Sequence, residues 1–108
     1  MKLGKLTLGD PVAVPWYSDK ASYDAVFAML PASETQDPFT YDVFIARIEK
    51  MEEQIERTGA ATYRIPIKAV TLKGWCDANN LQVCRASIAE FITIALALKL
   101  KRGGPKNN

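Results

Sequence analysis

The chain has 108 residues, 48% hydrophobic and 24% charged, which is the composition of one globular domain rather than of a disordered chain. It has no histidine, and its two cysteines, Cys76 and Cys84, are not in a CxxC arrangement; zinc-finger spacing, a disulfide framework and the usual general base are therefore excluded. The net charge of +2 hides a division: residues 18–57 carry four Lys/Arg against nine Asp/Glu, and residues 58–108 carry eight against two.

Such a division means either that two surfaces attract each other within or between chains, or that the basic half faces nucleic acid. The pI of 8.6 favours mutual attraction, because a nucleic-acid-binding domain more typically exceeds about 9. The opening MKLGKLTLGDP has no continuous apolar core and does not read as a signal peptide. With so few thiols, the expected compartment is the reducing cytoplasm.

In chain order, Leu6 and Leu8, then Val12 and Val14, alternate around Gly9-Asp10-Pro11, which predicts a short hairpin closed by Pro15. Ser18 reads as the N-cap of a first helix with Asp19 in its first turn. Tyr23, Val26, Phe27 and Leu30 form its buried stripe, and Pro31 ends it. A surface loop follows to Phe39. Thr40 is the N-cap of a second helix, with Phe39 placed to staple against Phe44. Phe44, Ile48, Met51 and Ile55 supply its apolar stripe, Glu49, Glu52, Glu53 and Glu56 its solvated face, and Gly59 its stop.

From Ala61 to Ile67 the period becomes two, which predicts a strand, and Pro66 assigns that strand to a sheet edge. A short helix over residues 70–79 turns Leu72, Trp75 and Cys76 inward, and Gly74 within it suggests close packing. The last helix, over residues 83–100, buries Ile88, Phe91, Ile92, Ala95 and Leu98. Its segment ASIAEFITIALAL, residues 86–98, has Glu90 as its one charge and falls short of the roughly 20 residues that span a bilayer. It must therefore be covered by protein, from this chain or a second copy. Residues 101–108 read as a disordered tail after a single domain over residues 1–100.

These elements predict an α+β fold of about four helices with a small antiparallel sheet, homodimeric through the last helix or the edge strand. Strand, short helix and longer helix from Tyr63 to Leu100 follow the order of a ribbon-helix-helix DNA-binding unit, in which Thr62 and Arg64 would touch bases. Trp16 and Tyr17, outside any stripe, join Trp75 as a candidate small-molecule pocket. Cys76 reads as a small core hydrophobe rather than a nucleophile. Glu90 either marks a wet helix edge or needs Arg64 or Arg85 as a partner. No catalytic, cofactor-binding or metal-binding residue is assigned.

The order Pro15-Trp16-Tyr17, Tyr23, Met29, Thr40-Tyr41-Asp42, Arg64-Ile65-Pro66-Ile67, Trp75-Cys76 and Arg85 resembles a group of small uncharacterised bacterial proteins, over about residues 14–95. That resemblance implies a bacterial, intracellular protein and adds no site. The leading expectation is a non-enzymatic accessory protein that acts through protein–protein interaction, self-association included, with no membrane partner. The alternatives are a ribbon-helix-helix-like DNA-binding regulator and a small-molecule binding module.

Overall fold

The computed structural model describes residues 11–36 and 40–103, with side chains to residue 101. The proposed Leu6/Leu8 arm and turn of the N-terminal hairpin, the Phe39 staple and the last residues of the tail lie outside the described residues. The elements are β1 (Pro11–Trp16), α1 (Lys20–Phe27), a 3-10 turn (Ala32–Glu34), α2 (Tyr41–Glu56), β2 (Ala61–Pro66), α3 (Ala69–Ala78) and α4 (Arg85–Gly103).

Local chemistry sets most of these boundaries. Asp19, not Ser18, caps α1, accepting the Ser22 amide at 2.8 Å. Thr40 caps α2 as expected, its hydroxyl accepting the Val43 amide at 3.3 Å. After α2 the chain turns at Gly59, whose φ of 95° is open to glycine without a Cβ clash. Asn80, with φ 56°, turns the chain after α3, a conformation that Asn tolerates better than most residues. The helix α4 runs on to Gly103, past the expected end near residue 100.

The strands β1 and β2 form a two-stranded parallel sheet, with Val14 opposite Arg64 and Trp16 opposite Pro66. This corrects the antiparallel expectation. The chain leaves the end of β1, and α2 is the long leg that carries it back, so β2 starts from the same end as β1; a crossover of this kind makes parallel pairs. It also settles the partner of β2, which pairs with β1 of its own chain.

Ile67 donates its amide to the Trp16 carbonyl at 2.9 Å. In a parallel ladder alternate residues aim both backbone groups at the same neighbour, which leaves Pro15 and Pro66 at outward positions on opposite edges. Each free edge thus lacks an amide where a further strand would need one, a common defence against edge-to-edge pairing.

The two faces of this thin sheet are covered differently. One face presents Val14, Trp16, Thr62 and Arg64 to the α2 side, where Val14 is fully buried. The other presents Ala13, Tyr63 and Ile65 to the main core, built with Tyr23 and Val26 of α1, Leu72 and Cys76 of α3, and Ile88, Ile92 and Leu96 of α4. Leu72 has no exposed surface, so Leu72→Ala would cost about 2 to 5 kcal/mol.

Two expected packing details change. Leu96 is buried in α4 while Leu98 stays 51% exposed. Gly74 is exposed, and a Cβ built there meets nothing within 4 Å, so no close approach explains it.

Candidate functional site

Thr62 and Arg64 lie together on the α2 side of the sheet, and both are engaged by that helix. The Thr62 hydroxyl donates to Glu56 at 2.6 Å. The Arg64 Nε and Nη2 donate to the two carboxylate oxygens of Glu52 at 2.8 and 2.9 Å. The guanidinium also lies 3.7 Å from the centre of the Trp16 ring. Held by hydrogen bonds to the carboxylate and by the ring, Arg64 has its pKa raised above the ordinary guanidinium value, chiefly by the Glu52 bonds. Glu52, expected on a solvated face, is buried. The acid is drawn in because α2 packs over the strand that carries its partner.

The three candidate pocket residues are not brought together. Trp16 lies beside Arg64, and Trp75 packs edge-on against Phe91 with ring centres 5.4 Å apart. Only Tyr17 lines a cavity of about 270 Å³ between the end of β1, α1, the start of α2 and α4. Its walls are aromatic and aliphatic: Tyr17, Tyr23, Phe27, Phe44, Ile88 and Ile92 among them. The rings interlock, with Tyr17 edge-on to Tyr23 at 5.6 Å and to Phe44 at 5.3 Å. The Tyr41 hydroxyl donates to the Tyr17 carbonyl at 2.6 Å and fixes the start of α2 to the end of β1.

Tyr17 is 4% exposed, and its phenol is pushed up to about 12, first by burial and then by Tyr23. Its hydroxyl has no hydrogen-bond partner among the described residues, yet no sealed polar atom there is left unsatisfied. The hydroxyl therefore keeps some accessible surface. At the rim stands Arg85, the first residue of α4, whose amide donates to the Glu34 carboxylate at 2.8 Å and whose Nη2 donates to the Glu34 carbonyl at 3.2 Å. Sequence reasoning missed this wall, although Tyr23 and Phe27, four apart on α1, were a signal for it.

The remaining candidates are quieter. Cys76 is fully buried, and Cys84 is half-buried at the start of α4, its thiol held below the usual range by hydrogen bonds from the Ser87 amide and hydroxyl. Glu90 is exposed on α4 and makes no ion pair among the described residues. Among the described residues no cluster of His, Cys, Asp or Glu is arranged to hold a metal, and no helix is long and apolar enough to cross a membrane. No protein-family model matches the chain, and no curated protein or solved structure proves similar to it.

Proposed function

We propose that this protein acts by association rather than catalysis, and that the partner its surface fits best is a second copy of the same chain. The observation that carries this is the outward face of α4. Ile88, Ile92 and Leu96 turn into the core, and the opposite side exposes Ala86, Glu90, Thr93, Ile94, Ala97, Leu98 and Lys101. A helix that is apolar on both sides is one that expects a cover on both sides.

The seam Glu90, Ile94, Ala97, Lys101 steps by four, three and four, the spacing of a helix-pairing stripe. It is complementary to itself when reversed. Two α4 helices crossing antiparallel about a point between Ala95 and Leu96 set Glu90 opposite Lys101 and Ile94 opposite Ala97. Opposite charges meet at both ends and a large side chain meets a small one at the centre, which is what a two-fold contact requires. The β edges offer no competing route, because Pro15 and Pro66 blunt them.

The nucleic-acid alternative would have Arg64 leave Glu52 and have β2 pair antiparallel across a dimer. No observation favours it.

Sedimentation or light scattering over a range of concentrations tests the association. The expected particle is twice the 12.0 kDa chain. Ala97→Glu, on an exposed position, returns it to one chain without unfolding it. Glu90→Lys weakens the pair, and adding Lys101→Glu restores it. A single-chain mass at every concentration up to several hundred micromolar would overturn the reading.

A further inference from the structure

We propose that the cavity between α1 and α4 is a binding site for a small amphipathic carboxylate: an apolar body of about the bulk of a medium-length alkyl chain or a pair of fused rings, ending in one acid group. The site stands apart from the Glu90–Lys101 seam of α4, since its α4 residues are Ile88 and Ile92 on the core side with Arg85 and Ala89 at the rim, none of them in that seam.

Size and lining define the body of the ligand. An apolar cavity of about 150 Å³ stays dry and takes up benzene. This one is about 270 Å³, with the edges of Tyr17, Tyr23, Phe27 and Phe44 giving it a rigid aromatic wall. Rings held by one another do not collapse into the space, so the void persists in the empty protein and a guest displaces little. A ligand of some eight to ten carbons fits such a volume, by proportion to benzene.

The polar groups define its head. Arg85 stands at the rim and forms no ion pair among the described residues. Among the described residues its one side-chain hydrogen bond, from Nη2, goes to the neutral carbonyl of Glu34, so most of the five guanidinium donors remain available to a carboxylate. Of the described acids near the rim, Glu34 has its carboxylate engaged by the Arg85 amide at the start of α4, where unpaired helix amides favour negative charge, and Asp24, beside Tyr23, is paired with Lys20 at 2.6 Å. Tyr17, a wall residue that is 4% exposed, carries a second donor, its hydroxyl, which has no partner among the described residues. A buried tyrosine whose phenol stays neutral over the physiological range supplies a hydrogen bond and no opposing charge. Among the described residues, a cationic donor at the rim and a neutral donor on the wall, set on an apolar cup, select an acid over an alcohol or an amine.

Calorimetric titration of the full chain with sodium octanoate and with octan-1-ol tests this. The expected result is that octanoate binds about tenfold more tightly than the alcohol, the scale of one charge-assisted hydrogen bond. Ala89→Phe, from a rim position that is exposed on α4, should fill the mouth and weaken both ligands about tenfold or more, by loss of the cavity volume. Arg85→Gln should bring octanoate to the level of octanol, and Arg85→Lys should retain the preference for the acid. Melting curves confirm that each variant is folded; should Arg85→Gln not fold, Arg85→Lys and Ala89→Phe decide. No binding of either ligand at millimolar concentration overturns the site. Equal binding of acid and alcohol overturns the role of Arg85, and octanoate binding untouched by Ala89→Phe overturns the location.

Discussion

Arg64 grips Glu52 with two parallel hydrogen bonds of 2.8 and 2.9 Å, joining β2 to the middle of α2 across twelve positions of sequence. The pair is asymmetric: the Arg64 side chain keeps 43% of its surface in water, and Glu52 keeps 12%. Removing the arginine therefore strands the acid, whereas removing both takes away the problem. Arg64→Ala should cost about 1 to 3 kcal/mol of unfolding free energy, the desolvation cost of an unsatisfied group. Arg64→Met with Glu52→Met should recover much of that loss. Urea unfolding checks both, and a loss under about 0.5 kcal/mol for the single variant would class the pair with ordinary surface ion pairs.

Tyr17 should make the fold sensitive to alkali. Its phenol titrates at about 12 in the folded chain against an ordinary 10.0, so the folded state holds a proton that the unfolded state gives up. Stability from this group is complete below pH 10 and falls as pH rises from there to about 12. Absorbance near the phenolate band should show Tyr17 ionising late, together with unfolding; burial and Asp24 push Tyr23 up as well. In Tyr17→Phe that late step disappears and the alkaline fall in Tm becomes shallower.

Gly74 offers the opposite kind of change. It lies inside α3, is exposed, and leaves open space where a Cβ would stand. Gly74→Ala should stabilise the chain by about 0.5 to 1 kcal/mol, mostly by restricting the unfolded state. Thermal melts should show a rise of a few degrees, and a fall in Tm would show that the position is needed bare.

The two thiols should separate kinetically. Cys84 is half-buried and its pKa is lowered by Ser87, while Cys76 has no exposed surface. Alkylation under native conditions should modify Cys84 alone, and Cys76 only at the rate of unfolding. Ser87→Ala should slow the reaction at Cys84 by removing the hydroxyl that faces its sulfur at 3.6 Å. Peptide mapping after a timed reaction distinguishes the two sites.

Much of the site lay beyond the reach of sequence reasoning. Tyr17 was legible as an aromatic outside any stripe, and it does line the cavity, but its companions Trp16 and Trp75 went to Arg64 and Phe91. Arg85 could be named as a cation near α4, with Glu90 as its suggested partner; the structure instead sets its amide on the carboxylate and its guanidinium on the carbonyl of Glu34, a residue 51 positions away. The division into an acidic front and a basic back left open whether the two halves would meet within or between chains; Arg64 and Glu52 meet within it.

Although α1 is capped by Asp19 rather than Ser18 and stops at Phe27, short of Pro31, and α4 runs past residue 100, the amino-acid order by itself settled the four helices, the second strand and several ends: the Thr40 cap, the turn at Gly59, the alternation through Ile65 and Ile67. Those depend on hydrogen bonds and side-chain spacing within a few residues, and such information is written locally. Tertiary structure alone decided that β1 and β2 run parallel, that Glu52 is drawn inside, and that four rings close around a cavity. Alternation is the same for a strand read in either direction, and a glutamate on a helix face carries no sign of the arginine that will lie across from it. Only the path of α2 back over the sheet fixes both.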